Sequence, residues 1–366
     1  MNENFIDIAG VIVKIKNNNI VSDAIINDLG VDQINNNKYY DISLDIFDSE
    51  LKGYRADVFS AKGSMSFNSN EYFVDYLASV NYIVENLFND GSITVKVNCS
   101  KSNIKARIKQ LIISKTLVKK NIILSYSLFW YAFHMALLRK EKSFLHSGIV
   151  DVDGCATVIA GTGGCGKTST LFKILENDNA KYVAEDFGII DKDGFAYFNP
   201  KPVSIYASDM EFGQCLLKHY VKNFTLKEKI IWSLKRNLLN INPVVKAMPN
   251  KLMDCRVAKK SKIKNVLYFI RNRDKVISMR DLDVGELVER ALDSSMRELK
   301  TLSELVLLIK SNAPAEYCIP SFFDIRLRSK NIYLKAFENT NNKIIYIPHK
   351  TKSVELVEYL KKNGLV

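Results

Sequence analysis

Apolar and polar residues alternate along NFIDIAGVIVKIK from Asn4, again in YYDISLDIF from Tyr39, and again in SITVKVN from Ser92, which follows the turn residues Asn89, Asp90 and Gly91. A period of two is the mark of half-buried strands, and Asn-rich runs (Asn17 to Asn19, Asn35 to Asn37) read as solvated loops between them. The pattern predicts a β-rich N-terminal domain over residues 1–105. From about 106 to 140 the apolar spacing becomes helical. Its most apolar part, Asn121 to Leu138, is 18 residues long but carries Asn, two Ser and a His, which predicts a core helix rather than a membrane span. From Phe144 onward short apolar runs alternate with helically spaced segments, the order expected of an α/β domain occupying 106–366.

Composition adds three constraints. With 366 residues, 47% hydrophobic and 25% charged, the chain is globular and large enough for two domains. Its cysteines (Cys99, Cys155, Cys165, Cys215, Cys255 and Cys318) form no C-x-x-C pair and no disulfide ladder, and the N-terminus has no signal-peptide pattern, so a reducing cytoplasm is expected. Charge is uneven. Residues 201–280 hold 18 Lys and Arg against 5 Asp and Glu, a net of +13, whereas the whole chain is +12. The heart of that segment, about 207–262, reads as a basic helical insertion. It would face either water or an acidic peptide, an anionic metabolite or nucleic acid, and no RRM, KH, zinc-finger or helix-turn-helix pattern favours the last.

The chemistry concentrates in IAGTGGCGKTSTL, Ile159 to Leu171, and AEDFG, Ala184 to Gly188. The letters G-x-G-x-x-G followed by D-F-G evoke a protein kinase, but no H-R-D occurs anywhere and only about twenty residues separate the two. A dinucleotide-binding reading leaves Lys167 and Thr168 without a job. G-x-x-x-x-G-K-[ST] accounts for Gly161, Gly166, Lys167 and Thr168, and its context is right: an apolar strand, Ala156 to Ala160, precedes it and a helical face of Leu171, Ile174 and Leu175 follows. The glycines at 161, 163, 164 and 166, with Thr162, Cys165 and Ser169, would form a loop whose N–H groups turn toward phosphate oxygens. Lys167, expected on the solvent-facing loop, would add a point charge and the Thr168 hydroxyl would meet magnesium. ATP and Mg2+ are the expected ligands.

Such a loop does not name the reaction. A GTPase N-K-x-D is missing, since Asn250-Lys251-Leu252-Met253-Asp254 has one residue too many. Instead Glu185 and Asp186 end a strand only 18 and 19 residues after Lys167, one helix and one return strand later, which predicts a strand lying beside the loop strand.

The run HSGIVDVDGCATVIAGTGGCGKTSTL, with YVAEDFGII after it, resembles the catalytic core of HPr kinase/phosphorylase and its relatives in the PEP-carboxykinase-like P-loop group. His146, Asp151, Gly161 and the pair Glu185-Asp186 hold the family's places; the first acidic place is Glu instead of Asp, and the family's Gly-rich C-terminal signature is missing. The likeness extends loosely to about residue 330, where VLYFIRNRDKVISMRDL and IPSFFDIRL look like later strands. It implies an α/β P-loop kinase core carrying the β-rich N-terminal domain, with Asp186 as general base, Glu185 in the magnesium shell, or the two exchanged, and His146 facing the phosphates. The bland alternative for the acidic pair is a solvated strand end. Arg271 and Arg273, after the strand Val266 to Ile270, would clamp the γ-phosphate or substrate, or simply be exposed. The expected activity is ATP- and Mg2+-dependent transfer to a hydroxyl of a peptide, protein or small molecule, in a chain that could be a homo-oligomer. The competing expectation is a nucleotide-binding regulatory or assembly module that transfers nothing.

Overall fold

The computed structural model describes residues 2–17, 33–34, 39–47, 58–59, 65–77, 80–98, 129–206, 226–238, 244–252, 256–314, 317 and 319–366. Outside them lie the helical spacing of 106–128, most of both Asn runs, and 207–225, 239–243 and 253–255 of the basic segment. The chain is an α/β protein with mixed sheets, and it divides into two compact units: residues 1–114, 118–140 and 299–327, then 115–117, 141–298 and 328–366.

Among the described residues of the first unit nine strands form one sheet: β1 (Asn2–Ile8), β2 (Val11–Asn17), β3 (Gln33–Ile34), β4 (Ile42–Phe47), β5 (Val58–Phe59), β6 (Met65–Phe67), β7 (Glu71–Leu77), β8 (Val80–Glu85) and β9 (Ile93–Asn98), in the order β3-β1-β2-β4-β9-β8-β7-β6-β5. The first alternating run is a hairpin. Ala9 and Gly10 both have positive φ (56° and 80°), the requirement of a tight two-residue turn, and the Asp7 carboxylate accepts the Gly10 N–H. Helix α1 (Phe129–Arg139) covers β2, β4 and β9 with a buried aromatic cluster of Phe129, Trp130 and Phe133. Arg139 in its last turn donates to the carbonyls of Asn86, Leu87, Asn89 and Gly91, holding the loop into β9. No helix among the described residues is long and apolar enough to cross a membrane.

The second unit is built on another mixed sheet. Its elements are β10 (Lys142–Leu145), β11 (Ser147–Val152), β12 (Cys155–Gly161), α2 (Lys167–Ile174), β13 (Ala180–Ala184), β14 (Gly188–Asp191) and β15 (Phe195–Tyr197). β16 (Val203–Tyr206), just before the basic segment, pairs antiparallel with β17 (Val244–Ala247) inside it, and the segment's described part also includes α3 (Leu226–Ser233), a π-helical turn over Leu234–Leu238 and α4 (Pro249–Leu252). There follow β18 (Lys260–Asn272), β19 (Ser278–Asp281), α5 (Val284–Glu298), α6 (Lys300–Asn312, part of the first unit), α7 (Phe322–Phe337, in the second unit from Arg328), β20 (Asn341–Pro348) and α8 (Ser353–Lys362). The sheet order is β10-β14-β15-β18-β12-β11-β13, with β20 joining β18 and β19 joining β20.

Two expectations are corrected. IPSFFDIRL is the start of a helix, not a strand: Ser321 and Asp324 exchange bonds, the Asp324 N–H to the Ser321 hydroxyl (3.1 Å) and the Ser321 N–H to the Asp324 carboxylate (2.7 Å), a capping box that starts α7. The strand carrying the acidic pair does not lie beside β12. The Asp153-Gly154 turn (φ 52° and 84°) folds β11 back along β12, so β13 pairs with β11's other edge.

The edge that carries the glycine-rich loop and the acidic pair survives this rearrangement. β11 is antiparallel to both β12 and β13, while β12 and β18 run parallel, as do β18 and β20. The carboxyl ends of β12, β13, β18 and β20 therefore share one edge with the amino end of β11, where Ser147 faces Ala160 and Phe269 faces Gly161.

Candidate functional site

The fully buried run Ala156, Val158, Ile159 and Ala160 anchors β12, and the chain leaves the sheet at Gly161. Gly161 has φ 140°, and a Cβ there would stand 2.7 Å from the Phe269 carbonyl oxygen and 2.8 Å from Cys165 Sγ, so only glycine lets the loop turn this close to β18. Gly166 (φ 102°) makes the second bend and leads into α2, with Arg271 Nη2 3.1 Å from where its Cβ would be. Between the bends, Thr162, Gly163 and Gly164 are exposed, whereas Cys165 is buried and burial pushes its thiol pKa up. Ser169 Oγ and the Thr170 N–H both donate to the Gly166 carbonyl at 3.0 Å, fixing the first turn of α2 behind the loop.

Lys167 corrects the expectation of a solvent-facing side chain. It is 7% exposed, because its stem folds back under the loop and its ammonium donates to the carbonyls of Gly161 (2.8 Å) and Thr162 (3.0 Å). Its third partner is His146 Nε2 at 3.0 Å. His146 sits between β10 and β11, and its N–H donates to Ser295 Oγ, which in turn donates to the Ala291 carbonyl on α5. Burial first, and the Lys167 charge second, lower the His146 pKa to about 4. The ring is therefore neutral at pH 7, and a neutral imidazole can accept from the Lys167 ammonium where an imidazolium would repel it.

The acidic pair is divided by the backbone. Thr168 Oγ1 donates to Glu185 Oε1 at 2.8 Å, which brings together the hydroxyl and the carboxylate expected at magnesium. Asp186 has φ 65°, and the Phe187 N–H donates back to the Glu185 carbonyl at 2.8 Å, so the strand ends in a three-residue turn. Left-handed backbone in a non-glycine residue is uncommon and recurs at functional sites. Asp186 Oδ2 lies 3.9 Å from Lys201 Nζ, and Glu298, at the end of α5, has Oε1 3.9 Å from His146 Nε2. Burial, then the Asp186 charge, raise the Glu298 pKa.

Of the two arginines, Arg271 reaches the loop and Arg273 is exposed on the turn beyond β18. Arg271 Nε donates to the Cys165 carbonyl at 3.2 Å, while Nη1 donates to the carbonyls of Pro348 (2.7 Å), His349 (3.3 Å) and Thr351 (3.1 Å). It braces the glycine-rich loop against the end of β20. Arg271→Ala is accordingly expected to weaken nucleotide binding by about tenfold through a loosened loop, while Arg273→Ala changes it less than twofold; titration of ATP into both variants checks this, at 1.4 kcal/mol per tenfold. Asp151 sits at the far end of β11, opposite Ala156, where it accepts from Ser261 and from the Gly154 N–H. It closes a hairpin, away from the loop.

The oxygen donors fit magnesium. That ion takes oxygen ligands, keeps several waters, and typically uses one or two carboxylates together with substrate phosphates. Thr168 supplies a hydroxyl and Glu185 one carboxylate, and among the described residues no group of three or more His, Cys, Asp or Glu forms an all-protein cage. Lys201, Glu298 and Ser295 were not singled out by sequence; the proline-flanked Asn199-Pro200-Lys201-Pro202 was a usable signal for the first, while the other two carry none beyond their place on a helix. Compared with known proteins, the chain matches no protein-family model and no curated relative.

Proposed function

We propose that the chain is an ATP- and Mg2+-dependent kinase of the HPr-kinase-like P-loop kind, transferring the γ-phosphoryl group of ATP to a hydroxyl of a peptide, protein or small molecule. The observation that carries this reading is the meeting, at one sheet edge, of a glycine loop that ends in a helix N-terminus, the Thr168–Glu185 contact, and Asp186 on its strained turn. Magnesium, when bound, would be held by Thr168 and Glu185 and would neutralise charge on the β- and γ-phosphates. The loop N–H groups and the α2 N-terminus bind phosphate oxygens. Lys167 exchanges the Gly161 and Thr162 carbonyls for phosphate oxygens. Asp186 takes the proton of the acceptor hydroxyl as its oxygen bonds to the γ-phosphorus and the bond to the bridging oxygen of ADP breaks. The +13 segment from 201 to 280 favours an acidic peptide or an anionic metabolite as acceptor.

The test is ADP formation with ATP and magnesium in the presence and absence of hydroxyl acceptors, beginning with acidic serine-containing peptides and phosphorylated polyols. Acceptor-dependent ADP and a labelled product are expected. ADP formed equally without acceptor, or tight ATP binding with no turnover under any condition, would replace transfer by a nucleotide switch.

A further inference from the structure

Lys201 is held in place more firmly than a surface lysine. Proline on each side restricts it: Pro200 and Pro202 each have φ fixed near −65°, and Pro202 also pushes Lys201 itself into extended backbone. Asn199, 1% exposed, fastens the segment to the catalytic edge. Its N–H donates to the Val183 carbonyl on β13 (3.0 Å), its Nδ2 to the Phe187 carbonyl (2.6 Å), and its Oδ1 accepts the Lys201 N–H (2.9 Å). The ammonium stands 4.0 Å from the centroid of the Phe187 ring and 3.9 Å from Asp186 Oδ2, on a side chain only 11% exposed. Ordering a lysine side chain costs rotamer freedom, and here two prolines, a buried asparagine and an aromatic ring all serve to place one charge.

That charge faces the same groups as Lys167. His146 contacts Lys167 directly and also feels the Lys201 charge, and Glu298 feels both ammonium groups. Two cations therefore converge, one from the glycine loop and one from the segment before β16, on the space bordered by Asp186, His146 and Glu298.

We propose that Lys201 is a second phosphate-binding cation, which holds the transferred phosphoryl group beside Asp186 as it passes from ATP to the acceptor. The inference rests on the kinase reading. In the step, the acceptor oxygen bonds to the γ-phosphorus, the bond to the β–γ bridging oxygen breaks and its electrons leave with ADP, and the hydroxyl proton goes to Asp186. Lys201 keeps its proton and acts only by charge, which counts most where negative charge is spread over the equatorial oxygens of the group in transit.

The probe is ADP with magnesium and aluminium fluoride, which imitates the phosphoryl group in transit and needs no acceptor. In wild type, aluminium fluoride is expected to tighten ADP binding strongly. Lys201→Met keeps the apolar stem over Phe187 and should bind ADP alone within about threefold of wild type, with an unchanged melting temperature, yet lose about 10²- to 10³-fold of the tightening; Lys201→Arg should recover part of it. Lys201→Gln carries the same expectation should the Met variant fold poorly. Tightening that survives in both neutral variants, or ADP affinity lost together with it, overturns the inference while leaving the kinase reading in place. Wild type that binds no ADP, or binds it without any response to aluminium fluoride, overturns the kinase reading, and the role of Lys201 falls with it.

Discussion

Replacing Asp186 by Asn is expected to leave ATP binding within a few-fold of wild type and to lower single-turnover transfer by about 10²- to 10⁴-fold, the usual cost of losing a general base. The backbone at this position makes the substitution clean. Asp186 has φ 65°, a conformation that Asn tolerates as readily as Asp because both short polar side chains bond locally. The turn that separates Asp186 from Glu185 should therefore survive, and the amide loses only the capacity to take a proton. Glu185→Gln is expected to behave differently: it keeps a hydrogen-bonding partner for Thr168 but offers magnesium no charge, so ATP affinity should lose most of its magnesium dependence. Measuring nucleotide affinity and single-turnover transfer in both variants separates the roles. If the Glu185 variant binds normally and fails to react while the Asp186 variant reacts at the wild-type rate, the assignments are exchanged. If both transfer normally, the pair is structural.

Lys167→Met should cost transfer about 10²- to 10³-fold by removing a fixed charge from the phosphates. It should also cost stability, which a solvent-facing lysine would not. The ammonium donates to the Gly161 and Thr162 carbonyls and lies against His146, so its loss leaves acceptors under the loop short of a donor, at about 1–3 kcal/mol. For a unit of this size each kcal/mol lowers the melting temperature by about 2–4 °C. Transfer at the wild-type rate in this variant would remove the phosphate-binding role of the loop, whatever its melting temperature.

The parts of the site that sequence displayed are those set by local spacing. Gly161, Gly166, Lys167 and Thr168 are joined by a strand, a bend and a helix, and each needs only its neighbours to take shape. The Thr168–Glu185 contact follows from one helix and one returning strand, a short path with few alternatives. What could not be read there depends on which segments pair. The position of β13 follows from the β11–β12 hairpin, whose turn at Asp153-Gly154 decides that β11 and not β13 lies against β12. Arg271 was visible as a strand-end arginine, but its acceptors come from Cys165, about a hundred residues earlier, and from Pro348 and Thr351, nearly eighty later. Lys167 looked exposed because periodicity speaks for helices and strands and says nothing of a side chain folded under a loop. In the N-terminal unit, alternation marked the strands, and positive φ at Ala9 and Gly10 made two of a run that reads as one.

Calorimetric titration of ATP into the full chain, with and without magnesium, probes the first step of the proposed transfer, the binding of phosphate at the glycine loop. Saturable 1:1 binding is expected, with a dissociation constant between about 1 μM and 1 mM, the ordinary range for enzyme substrates. That binding should strengthen with magnesium in wild type and lose most of that strengthening in Glu185→Gln. No binding at millimolar ATP with magnesium present, or binding untouched by Lys167→Met and by Glu185→Gln alike, would contradict it.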